Sequence, residues 1–411
     1  MFRHEAGHMI AVLTRVFGLK NLDLVEDVVQ ETLYSALEKW RFAGIPQNPA
    51  GWLYQVAKNK ALDALRRQGT LRQISEHVMP VDMSPAFESL NEVFLDGEIS
   101  DDVLRLMFAC CDPALGAEAH ICLILKYVCG FSDGEIASGL LVEDVTIRKR
   151  LSRARAALDV ARFRLDRPLS DAGDAEIESL HSVLYLLFNE GYHSSHSQHT
   201  LREELCAEAM RLADLLYRHP HGGKPETAAL LAMMHFHAAR LPSRLSDGSS
   251  LVLLKDQDRS LWNKDLIARG FELLKASGQG DMLSRYHIEA ALAAQHCLAP
   301  DFASTDWKAM LHYYDILMRM YPSPIIELNR ALVLAQIHGP ETGLKAISSI
   351  IDAAVLQDYP FYHAALGDLM AEMGERDAAR AHLETALKLA TGEADKRLLE
   401  KKLGAGYLAP E

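Results

Sequence analysis

Two groups of side chains have metal-binding types, and two cationic segments could hold a polyanion. His4-Glu5-Ala6-Gly7-His8 has H-E-x-x-H spacing: two imidazoles one helical turn apart could bind zinc while the carboxylate activates water. Zinc proteases with that motif carry a substrate strand before it and a third ligand after it, whereas three residues precede it here. The expectation is an accidental match, with no catalytic residue, no cofactor and no bound metal. His193, His196 and His199, beside Asn189-Glu190-Gly191-Tyr192, are a second possible cluster, read as a polar loop before the helix at Leu201. Cys110, Cys111, Cys122, Cys129, Cys206 and Cys297 show no C-x-x-C pair, which fits reduced, buried packing thiols. No Ser-His-Asp order and no glycine-rich phosphate loop stands out.

The cations are better organised. From Lys39 to Arg72 seven Lys/Arg stand against the single Asp63, and a second basic run spans Val145 to Leu158. Between them, Ile74 to Leu104 holds eight acids and no Lys or Arg. That alternation suits a chain gripping nucleic acid at two places and keeping its connector off the phosphates. The net charge of −13 does not oppose it, because a polyanion feels the field within roughly 8 Å at physiological salt.

Periods of three and four predict helix almost throughout, with no convincing alternating strand. Val25 to Trp40 puts Val29, Leu33, Ala36 and Trp40 on one face and Asp27, Glu31, Tyr34 and Glu38 on the other. Asn48-Pro49 is a strong helix start; Leu53, Val56, Ala57 and Ala64 then face inward, with Gln55, Asn59 and Arg66 outward. Trp40, Phe42, Trp52 and Tyr54 lie beside these cations, a mixture that suits unpaired DNA, where bases stack on rings. A Trp near the start of an amphipathic helix is more often core than a base platform, and for Trp52 both readings stay open. Further on, Gly130 closes a helix, Ser132-Asp133-Gly134-Glu135 forms a capping box, and a turn at Leu141-Val142 leads into a helix burying Ile147, Leu151, Ala154 and Leu158. Helix, tight turn and cationic helix is a helix-turn-helix pattern, whose second helix enters the major groove.

Asp27-Val28-Val29-Gln30-Glu31-Thr32, Asn48 through Leu53, and Asn59 through Asp63 to Arg66-Arg67 resemble the second conserved region of bacterial sigma factors of the extracytoplasmic-function (ECF) group. Gly130-Phe131-Ser132, Glu135-Ile136-Ala137 and Arg150 to Arg155 resemble their fourth region. The resemblance implies that Asp27, Gln30 and Glu31 dock on core RNA polymerase. It implies that Trp52, Lys58, Asn59, Asp63, Arg66 and Arg67 hold minus-ten promoter DNA open. It gives Thr146, Arg148, Lys149, Arg150, Arg153 and Arg155 to the minus-thirty-five element. Glu143 and Asp144 depart from the pattern: they complement the helix dipole but would repel a phosphate there. The start at Met1-Phe2 is abrupt for the family, so the first helix is expected to be shortened.

After Leu165 the chain turns Ala- and Leu-rich. Phe361 to Ala390 has tetratricopeptide-like offsets at Leu366, Gly367, Ala379, Leu383 and Ala386, and Asn329 to Ile350 is a fainter copy with Ala331, Leu334 and Ile347. The expected organisation is all-α: region 2 over 1–73, an acidic linker over 74–102, a region 4 helix-turn-helix over 103–164, and a helical, tetratricopeptide-like extension over 165–411. The expected function is promoter recognition and melting with core polymerase in the cytoplasm. Control would run through the extension, which contacts the DNA-binding domains or a separate partner. A helix-turn-helix regulator acting without polymerase is the alternative. No apolar run approaches membrane-spanning length and no leader pattern is present.

Overall fold

The computed structural model describes residues 2–76, 96–111, 115–140, 142–158, 169, 173–193, 199–246, 250–351 and 353–404. It is all-α, and the chain divides into two compact units, Met1–Leu186 and Leu187–Glu411.

In the first unit α1 (Phe2–Phe17) is buried along its middle, where Met9, Ile10, Val12 and Leu13 lie, as expected of a central helix. It packs against α2 (Leu22–Ala43), α3 (Pro49–Glu76) and α4 (Asp96–Cys110). The Asn48 side chain accepts the Gly51 N–H at 2.9 Å, so the Asn-Pro start signal acts as a cap. α5 (Ala117–Leu123) runs into a wider π-type turn, Ile124–Val128, and Gly130 then reverses the chain at φ 71°, where a side chain would be strained. α6 (Asp133–Gly139) opens on the expected capping box, Ser132 and Glu135 each satisfying the other's backbone N–H. α7 (Asp144–Leu158) buries Ile147, Leu151, Ala154 and Leu158, the four positions that its periodicity selects.

Two features of this unit differ from expectation. The acidic linker was expected to run to residue 102, yet from Asp96 the chain is helix, because Ile99, Val103, Leu106 and Met107 recur at helical spacing and are buried. Asp102 is itself buried on α4 and accepts from Arg15 of α1 at 3.0 Å and Arg105 at 2.8 Å. Burial raises its carboxyl pKa and the two guanidinium groups oppose the rise. The rest of the acidic stretch, residues 77–95, lies outside the described residues. In addition, the region expected to form a separate helix-turn-helix domain is in direct contact with α1. An ideal Cβ at Gly7 would meet the Val128 carbonyl oxygen at 2.0 Å, and one at Gly130 would meet that of Arg3 at 2.5 Å. Arg3 stacks on Phe131 at 4.3 Å and pairs with Glu135.

The second unit continues from α8 (Asp174–His193), whose first part belongs to unit one, through α9 (His199–Arg218) and α10 (Pro225–Ala238). α10 is buried along almost its whole length between α11 (Lys264–Ser277), α12 (Arg285–Leu298) and α9. α13 (Trp307–Met320), α14 (Pro324–His338), α15 (Pro340–Ser348), α16 (Pro360–Glu372), α17 (Arg376–Leu389) and α18 (Glu393–Leu403) follow, each packed on the one before. Ala331 and Ile347 join one core cluster with Leu366, Ala379, Leu383 and Ala386 are fully buried, and Leu334 is half-buried. β1 (Leu245–Ser246) pairs antiparallel with β2 (Ser250–Leu251), two residues each, too short to leave a period-two signal in sequence.

His296 on α12 is 9% exposed, and burial, then the nearby Arg240 and Arg259, bring its pKa down to about 3. The folded state thus refuses a proton that the unfolded chain accepts near pH 6.5, so stability is full above that value and falls as pH drops toward 3. By pH 5 the loss is expected to be about 2 kcal/mol, and in urea unfolding of His296→Gln that acid slope should flatten.

Candidate nucleic-acid interface

The outer face of α2 carries Asp27, Gln30 and Glu31 together, all exposed, with Glu31 ion-paired to Lys60 of α3 at 3.0 Å. The same helix exposes Tyr34, Leu37 and, at 86%, Phe42, with Ile45 just beyond. Large apolar groups in water beside an acidic stripe describe an interaction surface. From sequence Tyr34 was placed on this face and Phe42 among the aromatics beside the cations, while Leu37 and Ile45 were passed over; Leu37 on the polar side of the helical projection was the available signal.

On α3, Asn59 is exposed and accepts from Gln55 at 3.3 Å, while Asp63 and Arg66 form an exposed pair at 3.2 Å. Lys58 is half-buried, and the Arg67 side chain lies outside the described residues. Trp52 is half-buried too. Its ring meets Trp40 edge-on at 5.4 Å, Trp40 stacks on Phe2 at 5.2 Å, and Lys39 lies 5.8 Å from the Trp52 ring. Trp52 is thus packed on Trp40 yet only half-buried.

α7 separates its candidates. Arg148, Lys149, Ser152 and Arg153 are exposed and, with Val145, line an open hollow of about 370 Å³. Arg150 instead pairs with Glu118 of α5 at 2.9 Å, and Arg155 with Asp23 at the start of α2; burial lowers the Arg155 pKa. Thr146 is half-buried. Three of the six residues therefore form a single cationic face, and two are held by carboxylates of neighbouring helices. Lys126 ties the same region to α2, bonding Glu26 at 2.7 Å and Asp133 at 2.8 Å.

The H-E-x-x-H motif has a packing role. The Tyr54 hydroxyl donates to Glu5, His8 lies 3.7 Å from the same carboxylate, and these bonds, led by that of His8, lower its pKa. Among the described residues no group of three His, Cys, Asp or Glu is placed to hold a metal ion. The His193 and His199 side chains and all of His196 lie outside the described residues.

Residues 1–70 match sigma-70 region 2, and residues 176–278 match a family of unknown function, DUF6596. The uncharacterized protein R00370 of Rhizobium meliloti is 32% identical over 402 residues, covering 98% of this chain and 93% of the relative. The chain belongs to the family of that Rhizobium protein. It is also similar to the ECF RNA polymerase sigma factor SigL of Mycobacterium tuberculosis, 33% identical over 134 residues that cover 32% of this chain and 71% of the relative. A probable RNA polymerase sigma factor, RfaY, of Xanthomonas campestris is 28% identical over 38% of this chain and 43% of the relative. No solved structure matches. The region 2 match and the ECF relatives together support a sigma-factor role for this family member. Among the described residues no helix is long and apolar enough to cross a membrane.

Proposed function

We propose that the chain binds core RNA polymerase through the acidic, apolar-studded face of α2, holds minus-ten bases apart with α3, and reads minus-thirty-five duplex with α7. One observation carries this reading: a chain whose first 70 residues match sigma-70 region 2 presents Arg148, Lys149 and Arg153 on one open helix face. The cationic face suits phosphates and guanine edges. The α2 face suits a cationic protein helix, where charge sets orientation and association rate while Phe42 and Leu37 supply buried area. The helical extension, with tetratricopeptide-like pairs at α14–α15 and α16–α17, would act as a regulatory module that receives a partner or ligand.

Transcription from a defined promoter by core polymerase plus this protein is the direct test. The double charge reversal Asp27→Lys, Glu31→Lys is expected to cut polymerase capture about tenfold or more, chiefly at low ionic strength, and to leave duplex DNA binding intact. Capture that is indifferent to the reversal would remove α2 from the interface. Transcription unchanged when the protein is omitted would reject the reading as a whole.

A further inference from the structure

The second unit contains an arrangement that the sigma-factor reading leaves unused. Arg240, at the end of α10, is only 8% exposed, and no carboxylate pairs with it among the described residues. Its guanidinium lies 5.6 Å from the ring of Trp262, and that of Arg259 lies 4.7 Å from the same ring. Trp262 is fixed in turn by donating its indole N–H to Ser243 at 2.8 Å. Arg259 spends one nitrogen on the carbonyls of His296 and Ala299 at the end of α12. Its other terminal nitrogen is buried without a partner among the described residues, as are Arg240 Nε, His296 Nδ1 and Thr305 Oγ1. Trp307 meets the His296 ring at 5.8 Å and, with Thr305, Asp306, Lys308 and Ile337, lines an open hollow of about 340 Å³; the Asp306 carboxylate there accepts the Ala309 N–H at 2.9 Å.

Two guanidinium groups against one indole, with buried donors left over, is costly for a fold to keep. Cation–π contact offsets part of the desolvation, but the positive charges repel each other. Asp301 is a carboxylate whose charge acts on Arg259; it is exposed and accepts the Ser304 N–H at 2.7 Å. A bound oxyanion would resolve the imbalance, since a planar guanidinium matches carboxylate or phosphate with two parallel bonds. Thr305 can add a hydroxyl donor, and the hollow beside Trp307 is of a size for a small ligand's body.

We infer that Arg240, Arg259, His296 and Thr305 form a binding site for the carboxylate or phosphate group of a small anionic molecule. Binding would neutralise the buried pair and stiffen the junction of α10, α11 and α12, so the extension would sense such a compound. This inference stands on the second unit alone and does not depend on the polymerase reading.

The test uses the full-length protein titrated with inorganic phosphate and, separately, with acetate, at constant ionic strength set by chloride. A saturable rise in melting temperature with a change in tryptophan fluorescence is expected for at least one of them. Saturation by phosphate alone or acetate alone identifies the group; both support the site. Arg240→Met should weaken binding at least tenfold, yet without anion it should melt no lower than the parent chain, because an unpaired buried charge has been removed. Should that variant fail to fold, half-exposed Arg259→Met and Thr305→Val give the same comparison, at least tenfold and several-fold weaker respectively. If neither anion saturates, or affinity is unchanged in the arginine variants, the inference is wrong.

Discussion

Alanine at Arg148, Lys149 and Arg153 together is expected to weaken promoter-duplex binding by roughly 10² to 10⁴-fold, the sum of about 1 to 3 kcal/mol for each guanidinium that forks onto a base edge. The lysine adds a phosphate contact, so the slope of log affinity against log salt should also flatten, by roughly 0.9 for each phosphate no longer neutralised. The three side chains share one exposed face and none is ion-paired among the described residues, so folding should change by only about 0.5 kcal/mol or less. Arg155→Ala makes the contrast. Its guanidinium is engaged with Asp23 of α2, so its loss should loosen the contact between α7 and the start of α2 before it touches DNA affinity. Fluorescence anisotropy over a salt series separates the two. An unchanged slope in the triple variant would show that this face does not meet phosphate.

What could be read without coordinates was local. The Asn48 cap, the Ser132-Glu135 capping box and the buried stripe Ile147, Leu151, Ala154, Leu158 depend on residues within a few positions of one another, and each stands as expected. The acidic stripe of α2 was legible for the same reason. Partners far along the chain were not. Arg150 and Arg155 are chemically equal to Arg148 and Arg153, and only the arrival of Glu118 and Asp23 from other helices distinguishes them. Asp102 resembled one more charge in an acidic connector until Arg15, from the first helix, supplied its counter-charge. Arg259 and Trp262 are neighbours in one short turn, but the arrival of Arg240 on the same ring from the end of α10 has no spacing that a linear reading could recognise.

The glycine inside the H-E-x-x-H motif yields the other large effect. A methyl group at Gly7 would sit 2.0 Å from the Val128 carbonyl oxygen and 3.0 Å from its carbon, both backbone atoms that no rotamer change can move. Alanine in place of a helical glycine ordinarily gains about 1 kcal/mol. Here overpacking against a fixed backbone, typically about 1 to 3 kcal/mol and more where nothing yields, should exceed that gain. Gly7→Ala is therefore expected to destabilise the first unit by about 2 kcal/mol, and Gly7→Val by more, since its branched carbon meets the same carbonyl. With two compact units a single melting curve is ambiguous, so the measurement is amide hydrogen exchange of 2–17 and 121–131, where protection should fall together while that of 264–298 stays unchanged. His4→Ala should lower that protection far less, because its ring packs beside His8 at a half-exposed position. Equal protection in Gly7→Ala and the parent chain would mean that α1 and the turn at Val128 do not meet as described, and the shared packing of α1 with the segment that carries α6 and α7 would have to be abandoned.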